Sequence, residues 1–475
     1  MPHISKLLTK GPIHFTGIGG IGMSGIAEIL HNLGHSIQGS DLSKNANTAR
    51  LQNIGIKTFL NHNKDNIKDI ALLVISTAIK DNNPEVEYCK DNSIPVITRT
   101  EMLAELMRLK TSIAVSGTHG KTTTTSMIAS VFEASNLNPT VINGGIINTR
   151  GTNAYLGSGD FLIAEADESD ATFIKVPSTI AVITNIDPEH LDYYGSFANL
   201  KKAFSDFINN LPTHGFGVLC IDHPEVRKLA KTIKNRRIIT YGVQSKDADV
   251  QAINIKQNLN NSTFEVKISD KLNTKIKNIK SITLNIPGVH NVQNSLAAIA
   301  IALELKFNKQ NIINGFKDFK GVKRRFTLTG EVNGIRIIDD YAHHPREIEA
   351  TLSTAKQVVI KDGKIISVFQ PHRYTRLRDL FKEFSECFRD SDIVYIADVY
   401  TANEEPIENV SRDSLIEAMI QTKSHNDVRP LLSPDHLPDI IKQHCKANDL
   451  VIFLGAGSIT NWANELPCKL GHVEK

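Results

Sequence analysis

The sequence predicts an α/β protein of three domains built mainly on parallel sheets. The chain has 475 residues, which is too long for one hydrophobic core and fits about three domains of roughly 150 residues each. Short apolar runs alternate with helical stretches in three successive series along the chain. Because strands that alternate with helices form parallel sheets with crossover helices, each series predicts one such sheet.

The three series set the expected domain boundaries. The second series opens at Ile113 and the third follows residues 321–325, so we place the domains at residues 1–110, 111–322 and 323–475. Residues 251–284 are rich in Asn, Lys and β-branched residues and predict an antiparallel meander that covers one sheet edge. The strands are expected at residues 13–16, 37–41, 72–76, 95–97, 161–165, 180–185, 217–220, 335–340, 365–369, 393–397 and 450–454.

The composition argues against several classes of protein. Apolar residues make up 41% of the chain, and 54 basic residues against 51 acidic ones leave a formal charge of +3. A charge this small predicts no nucleic-acid partner. The five cysteines show no C-x-x-C spacing, which predicts neither a zinc site nor disulfides and fits the cytoplasm. The amino terminus lacks a signal-peptide pattern and no run approaches about 18 apolar residues, so we expect a soluble protein without membrane contact.

A glycine loop at residues 117–123 is the most informative motif. The letters G-T-H-G-K-T-T follow an apolar run and precede a helical stretch, which predicts a strand, a turn and a helix. Backbone N–H groups of such a turn converge on an anion, Lys121 adds a positive charge, and the Thr122 hydroxyl can bind Mg²⁺. Val115 replaces the first glycine of the Walker pattern, so a capped turn with a solvated lysine is the alternative. The ATP-binding residues predicted from this loop are Gly117, Thr118, His119, Gly120, Lys121, Thr122 and Thr123.

A second glycine motif, G-I-G-G-I-G at residues 17–22, directly follows the first predicted strand, and Asp41 closes the second strand. This layout suits a pyrophosphate at a helix N-terminus with a carboxylate beyond it. Taken alone it indicates an NAD-dependent oxidoreductase, but the glycines admit any pyrophosphate, including that of a nucleotide sugar. Tight packing of the strand against the helix is the structural alternative.

Acidic residues follow two strands that are expected beside the phosphate loop. Residues 165–170 read E-A-D-E-S-D after one strand, and residues 185–192 follow the next. Carboxylates at that edge can hold Mg²⁺, because a hard cation prefers oxygen ligands. A solvated acidic turn is the alternative. His190 is either a ligand of a second metal ion or a hydrogen-bonded core histidine.

Four further polar motifs each have a structural and a functional interpretation. Residues 288–298 place amides at a helix start, which by itself indicates helix capping. Arg324 and Arg325 follow a linker glycine and either reach a phosphate or stay solvated. Residues 339–345 and 370–376 each follow an apolar strand, and His and Arg at strand ends suit a carboxylate ligand.

Taken together and in this order, these motifs resemble the Mur ligase family over nearly the whole chain. The shortened phosphate loop is the form that this family uses. The stretches that carry the resemblance are residues 14–25, 117–123, 165–170, 288–291, 340–345 and 370–376.

The resemblance implies a fold and a reaction. The fold has an N-terminal Rossmann-like domain for a UDP-sugar, a central P-loop ATPase-like domain with a mostly parallel sheet, and a C-terminal Rossmann-like domain for an amino acid. The reaction is the ATP-dependent joining of L-alanine to the lactyl carboxylate of UDP-N-acetylmuramate through an acyl phosphate, in peptidoglycan biosynthesis. Two Mg²⁺ ions are expected and no nicotinamide cofactor, and the protein is expected to be a monomer or a homodimer.

The resemblance also implies residue roles. Lys121, Glu165 and His190 form the catalytic group, and Thr122, Glu165 and His190 are the metal ligands. The UDP-sugar site comprises Gly17, Gly19, Gly20, Gly22, Asp41, Ser76 and Thr77. ATP is further contacted by Asn291 at the adenine, Arg325 at the phosphates and Asp340 on the ribose side. L-Alanine is oriented by His343, His372, Arg373 and Arg376.

Some points stay open at this stage. Related ligases later in the pathway carry a carbamylated lysine where this chain aligns Phe204, and Lys201 and Lys202 are out of register, so we predict an unmodified site.

The base that deprotonates the amine is His190, His343 or the bound phosphate. The rival functions are a ligase that recycles a murein tripeptide onto the same UDP-sugar, the NAD-dependent oxidoreductase, and a nucleotide-binding sensor without catalysis.

Overall fold

A computed structural model describes residues 11–76, 78–169, 171–258, 260–402 and 404–471. These residues form three sheets, of five, ten and six strands. It divides into two compact units, of which one comprises Met1–Ile253, Glu265–Ile282 and Gln293–Phe319 and the other comprises Asn254–Phe264, Thr283–Val292 and Lys320–Lys475. Within the described residues, no helix is long and apolar enough to cross a membrane.

The first sheet is parallel throughout, as the alternating pattern predicts. Its order is β3-β2-β1-β4-β5, so the strand order reverses beside β1, where ligands of open α/β sheets bind. The strands are β1 Ile13–Thr16, β2 Ile37–Asp41, β3 Lys57–Leu60, β4 Leu72–Ile75 and β5 Val96–Thr98. The helices are α1 Ile21–Asn32, α2 Ala46–Asn53, α3 Pro84–Asp91 and α4 Arg99–Met107, with a 3-10 turn at Lys64–Asn66.

The ten-stranded sheet has the order β15-β14-β13-β12-β11-β10-β6-β9-β7-β8. Its strands are β6 Thr111–Ser116, β7 Thr140–Ile147, β8 Thr152–Tyr155, β9 Phe161–Glu165, β10 Ile180–Ile183, β11 Phe216–Cys220, β12 Arg237–Gly242, β13 Val250–Gln257, β14 Ser262–Ile268 and β15 Asn278–Leu284. The helices that follow are α5 Lys121–Ala134, α6 Leu191–Tyr194, α7 Phe197–Asn209, α8 Pro224–Thr232, α9 Val289–Glu304 and α10 Lys309–Lys317, with a 3-10 turn at Thr172–Lys175.

Central strand β6 is fully enclosed, since Ile113, Ala114 and Val115 are completely buried. It pairs in parallel with β9 and β10, so the ends of all three strands meet at one edge of the sheet. The expected meander appears as β13, β14 and β15, which extend one edge of the sheet in chain order. The antiparallel pair of β7 with β8 was not expected from the sequence.

The third sheet has the order β16-β17-β21-β18-β19-β20 and is parallel except for the edge pair β16 and β17. Side chains of its central strands alternate between two apolar clusters, with Phe369 on one face and Val368 on the other. Its strands are β16 Thr327–Val332, β17 Ile335–Asp340, β18 Ile365–Phe369, β19 Ile393–Ile396, β20 Val428–Pro430 and β21 Leu450–Leu454. The helices are α11 Pro345–Val358, α12 Tyr374–Asp379, α13 Phe381–Glu386, α14 Arg412–Gln421, α15 Leu437–His444 and α16 Ile459–Lys469, with a 3-10 turn at Pro434–His436.

Candidate functional site

The loop between β6 and α5 requires its glycines. Gly117 has a φ of 132° and Gly120, the N-cap of α5, has a φ of 81°, a region that side chains disfavour. A Cβ atom on Gly117 would also lie 2.1 Å from Oγ1 of Thr184. The loop therefore turns sharply and opens directly into a 14-residue helix, whose first N–H groups form an anion site.

Lys121 folds back over this loop. Its Nζ donates to the carbonyl oxygens of Gly117 and Thr118, at 2.7 and 3.2 Å, and lies 2.9 Å from Oε2 of Glu168. Burial alone would lower the pKa of Lys121, but Glu168, Asp167 and Glu165 together raise it above its usual value. The ammonium group is therefore charged, and it lies against the backbone of the glycine loop.

The segment after β10 holds the other side of the loop. The N–H of His119 donates to Oδ1 of Asn185 at 2.7 Å, and the N–H of Asp187 donates to Oγ1 of Thr118 at 2.9 Å. Thr123 is buried in the first turn of α5. The phosphate loop is thus fixed from two strands, which limits its rearrangement on ligand binding.

Glu165 ends β9 and lies against Thr122. The Thr122 hydroxyl donates to Oε2 of Glu165 at 2.8 Å, and the N–H of Gly144 donates to the same oxygen at 2.9 Å. The sequence placed these two residues at one sheet edge, and the structure brings them into direct contact. A hydroxyl and a carboxylate side by side are the oxygen ligands that Mg²⁺ prefers.

A second group of possible metal ligands lies nearby. One ligand atom each of Glu168, Glu189 and His190 falls within 4.8 Å of the others. Nε2 of His190 is 3.8 Å from Oε1 of Glu168. Two carboxylates with an imidazole fit a divalent cation. Glu168 therefore contacts both Lys121 and the possible metal ligands. The sequence analysis did not assign a role to Glu168.

The first glycine loop has the geometry of a tight turn between β1 and α1. Gly17 has a φ of 82°, and Gly20 is the N-cap of α1. The N–H of Gly19 donates to Oδ2 of Asp41 at 2.8 Å, so this carboxylate supports the loop itself. Ser76 lies beside the turn, with its Oγ 3.7 Å from the position of a Cβ on Gly17. Thr77 lies outside the described residues.

Beneath this loop lies the completely buried carboxylate of Glu85. The hydroxyls of Thr16 and Ser40 both donate to its Oε2 at 2.7 Å, and Nε2 of His14 lies 3.3 Å from the same oxygen. Burial alone would raise the pKa of Glu85, but contacts with His14, Ser40 and Thr16 outweigh it and lower the pKa to about 2. Glu85 thereby ties together the ends of β1 and β2, directly before Gly17 and Asp41.

A cavity of about 200 Å³ in the first unit lies between the first glycine loop and the end of β9. Its walls include Gly22 and Arg99 from the first domain and Asn143, Gly144, Glu165 and Asp167 from the central one. The first loop and the phosphate-loop carboxylate therefore face a shared space.

The amino-acid candidates lie in the second unit, where three of them gather. The rings of His343 and His372 are 6.1 Å apart, and Nη1 of Arg376 lies 3.3 Å from Nδ1 of His372. Burial, together with the neighbouring charges of His343 and Arg376, lowers the pKa of His372 to about 4. Arg373 is turned aside, since its Nε donates to Glu404 at 2.6 Å.

The nucleotide candidates of the second unit are held by local contacts. Asp340 is buried and accepts the N–H groups of Phe326 and Ala342 at 2.7 and 2.8 Å. Burial raises its pKa to about 6. Arg325 lies 3.7 Å from Glu347. Asn291 donates from Nδ2 to the carbonyl of Pro287 at 2.7 Å, a contact that favours the helix-start interpretation without testing a nucleotide role.

Comparison with known proteins identifies the family. Three family profiles match successive parts of the chain: the Mur ligase family catalytic domain at residues 12–111, the Mur ligase middle domain at 115–302 and the Mur ligase glutamate ligase domain at 324–457. UDP-N-acetylmuramate–L-alanine ligase of Rickettsia bellii is 57% identical over 98% of both chains, and that of Rickettsia typhi is 58% identical over 97% of this chain and 93% of the relative. The chain belongs to the Mur ligase family.

Solved structures of Mur ligases share the fold. UDP-N-acetylmuramate-alanine ligase from Thermotoga maritima superposes with a TM-score of 0.81 at 28% identity, covering 96% of this chain and 98% of that one. A murein peptide ligase from Psychrobacter arcticus gives a TM-score of 0.70 at 24% identity, covering 98% and 100%. The second likeness concerns the fold alone.

The lysines near the expected carbamylation position of later Mur ligases are engaged elsewhere. Phe204 is fully buried, and its ring lies 5.2 Å from that of Phe173. Lys201 pairs with Glu225 at 3.1 Å and Lys202 with Asp206 at 2.7 Å. These contacts favour the unmodified site that the sequence predicts, which stays a prediction.

Proposed function

We propose that this Mur ligase joins L-alanine to the lactyl carboxylate of UDP-N-acetylmuramate in peptidoglycan biosynthesis. It is an ATP-dependent ligase that forms an amide bond. The observation that carries the proposal is the shared cavity, which has the first glycine loop on one side and Glu165, in contact with Thr122 of the phosphate loop, on the other. The two rickettsial relatives that match nearly the full chain bear the name of this activity.

The reaction proceeds in two steps. An oxygen of the lactyl carboxylate forms a bond to the γ-phosphorus of ATP while the bond to the ADP oxygen breaks, which gives an acyl phosphate and ADP. The amine nitrogen of L-alanine then bonds to the acyl carbon, phosphate leaves with the C–O electron pair, and the nitrogen loses a proton. His190, His343 and the departing phosphate are the candidate bases.

The residues of the first unit stabilise the charge that develops in the first step. Lys121 and the N–H groups that open α5 bind the phosphates and offset the negative charge that develops on them. Thr122 and Glu165 would hold one Mg²⁺ ion and His190, with Glu168 and Glu189, a second. The metal supplies further neutralisation of the phosphate oxygens.

Roles in the second unit complete the proposal. His343, His372 and Arg376 orient L-alanine, since a guanidinium beside imidazoles suits its carboxylate. Arg373 joins them by releasing Glu404. Asn291, Arg325 and Asp340 serve the adenine, phosphates and ribose side of ATP. We place the protein in the cytoplasm as a monomer or a homodimer, with domains bounded near residues 110 and 322.

Phosphate release tests the proposal. ATP and UDP-N-acetylmuramate are supplied with L-alanine, L-serine, glycine or murein tripeptide, and inorganic phosphate is measured. We expect release to require the UDP-sugar and to be supported by L-alanine but not by the tripeptide. Release with the tripeptide alone would assign the recycling reaction instead, and no release with any acceptor would indicate a sensor.

A further inference from the structure

Arg99 occupies an unusual place between the two glycine loops. It is the first residue of α4, and its side chain lies across Gly22 in the first turn of α1. A Cβ atom on Gly22 would lie 2.5 Å from Nη1 of Arg99 and 3.2 Å from its Cδ. The last glycine of the G-I-G-G-I-G motif therefore makes room for this guanidinium.

The other side of the guanidinium meets a carboxylate of the central domain. Nη2 of Arg99 lies 3.4 Å from Oδ2 of Asp167, and the two side chains are 30% and 42% exposed. An ion pair this long and this exposed contributes little to stability. Arg99 can therefore exchange Asp167 for another anion at small cost.

The charges in the cavity require such a cation. Among the described residues that line it, Arg99 is the one basic side chain, whereas Glu165 and Asp167 are acidic. A carboxylate that approaches the phosphate loop through this space meets two like charges, which repel it in a partly enclosed site. A guanidinium on the same wall offsets that repulsion and can pair with the carboxylate through two parallel N–H groups.

We propose that Arg99 binds the lactyl carboxylate of the UDP-sugar and directs it across the cavity towards the phosphate loop. This inference rests on the proposed function. Arg99 leaves Asp167 when the sugar enters, and its fork holds the carboxylate between Gly22 and Glu165. The residue then discriminates UDP-N-acetylmuramate from UDP-sugars that lack the lactyl group.

The test compares two ligands that differ in that group. UDP-N-acetylmuramate and UDP-N-acetylglucosamine share the nucleotide, the diphosphate and the amino sugar, and only the first carries the lactyl carboxylate. Their dissociation constants are measured by calorimetry for the wild type, Arg99→Gln and Arg99→Lys. Arg108→Gln, at the opposite end of α4, is the matched control, because Arg108 is half-exposed and pairs with Glu105.

We expect Arg99→Gln to raise the dissociation constant of UDP-N-acetylmuramate about 10-fold or more, which is the usual effect of losing a charged hydrogen bond. The dissociation constant of UDP-N-acetylglucosamine should change less than about twofold. For UDP-N-acetylmuramate, the dissociation constant of Arg99→Lys should lie between those of the wild type and Arg99→Gln. Arg108→Gln should change the dissociation constant of neither ligand. Equal weakening of both ligands would assign Arg99 to the diphosphate and overturn the proposal, as would no weakening of either.

Two further measurements separate a specific role of Arg99 from general damage to the site and from failure of the proposed function. The Michaelis constant for ATP should stay within about twofold in Arg99→Gln, which excludes general damage to the site. Phosphate release by the wild type with L-alanine tests the proposed function separately. A wild type that turns over normally while Arg99→Gln binds both ligands like the wild type refutes only the role of Arg99.

Discussion

Nζ of Lys121 lies 2.9 Å from Oε2 of Glu168, and the two side chains are only 14% and 2% exposed. The lysine of the phosphate loop is therefore held by a buried ion pair as well as by two loop carbonyls. Breaking one partner of such a pair leaves an uncompensated charge away from water, which is more costly than the pair itself is stabilising. Glu168 thus stabilises the loop in the absence of nucleotide.

Glu168→Gln should lower the free energy of unfolding by about 2 kcal/mol, because it removes the carboxylate that contacts the buried Lys121 ammonium directly and leaves only Asp167 and Glu165 to balance its charge. Urea unfolding at neutral pH measures the change. Glu105→Gln is the control, since Glu105 is 33% exposed and pairs with Arg108 on a helix surface, and it should cost less than about 1 kcal/mol. Equal losses for the two variants would show that burial of the Lys121 pair has no special weight.

Lys121→Ala should remove the charge that stabilises the transferring phosphoryl group. We expect kcat to fall by more than about 100-fold, on the order of 3 kcal/mol of transition-state stabilisation, while the dissociation constant for UDP-N-acetylmuramate changes less than about twofold. Steady-state kinetics and calorimetry on the same preparation measure both quantities. Turnover comparable to the wild type would refute the assignment of Lys121 to the phosphates.

Glu85 should make the free energy of unfolding depend on pH. Contacts with its neighbours lower its pKa from 4.5 to about 2, so the carboxylate stabilises the folded state above about pH 4.5 and loses this contribution as the pH falls towards 2. By pH 3 the difference in unfolding free energy between wild type and Glu85→Gln should have shrunk by about 2 kcal/mol from its value at pH 6.

Urea unfolding at several pH values measures that difference. Glu87→Gln removes the same charge from an exposed position of the same helix, and its difference from the wild type should stay nearly constant. A Glu85→Gln difference that is equally constant with pH would contradict the low pKa.

Much of the fold could be predicted from the sequence because apolar runs of strand length alternate with helices. The contact of Thr122 with Glu165 follows from the same logic, since Glu165 ends β9 and Thr122 opens the helix that follows the neighbouring parallel strand β6. The family profiles and the sheet orders agree with the predicted three-domain α/β class.

The remaining features depend on tertiary packing. Glu168 lies three residues beyond β9, where no periodicity fixes the direction of a side chain, so its pairing with Lys121 was missed. Glu85 begins a helix far along the chain from Ser40 and meets it only when the first sheet closes. The β7 strand was missed because Gly144 and Gly145 interrupt its apolar pattern.

The formation of an acyl phosphate is the central claim, and isotope transfer tests it most directly. UDP-N-acetylmuramate labelled with ¹⁸O in both oxygens of its lactyl carboxylate is incubated with ATP and L-alanine, and the released phosphate is analysed by mass spectrometry. We expect each phosphate to carry one ¹⁸O atom, because the carboxylate oxygen that attacks the γ-phosphorus leaves with it. Label-free phosphate formed together with the amide product, with the displaced ¹⁸O recovered in water, would contradict the account.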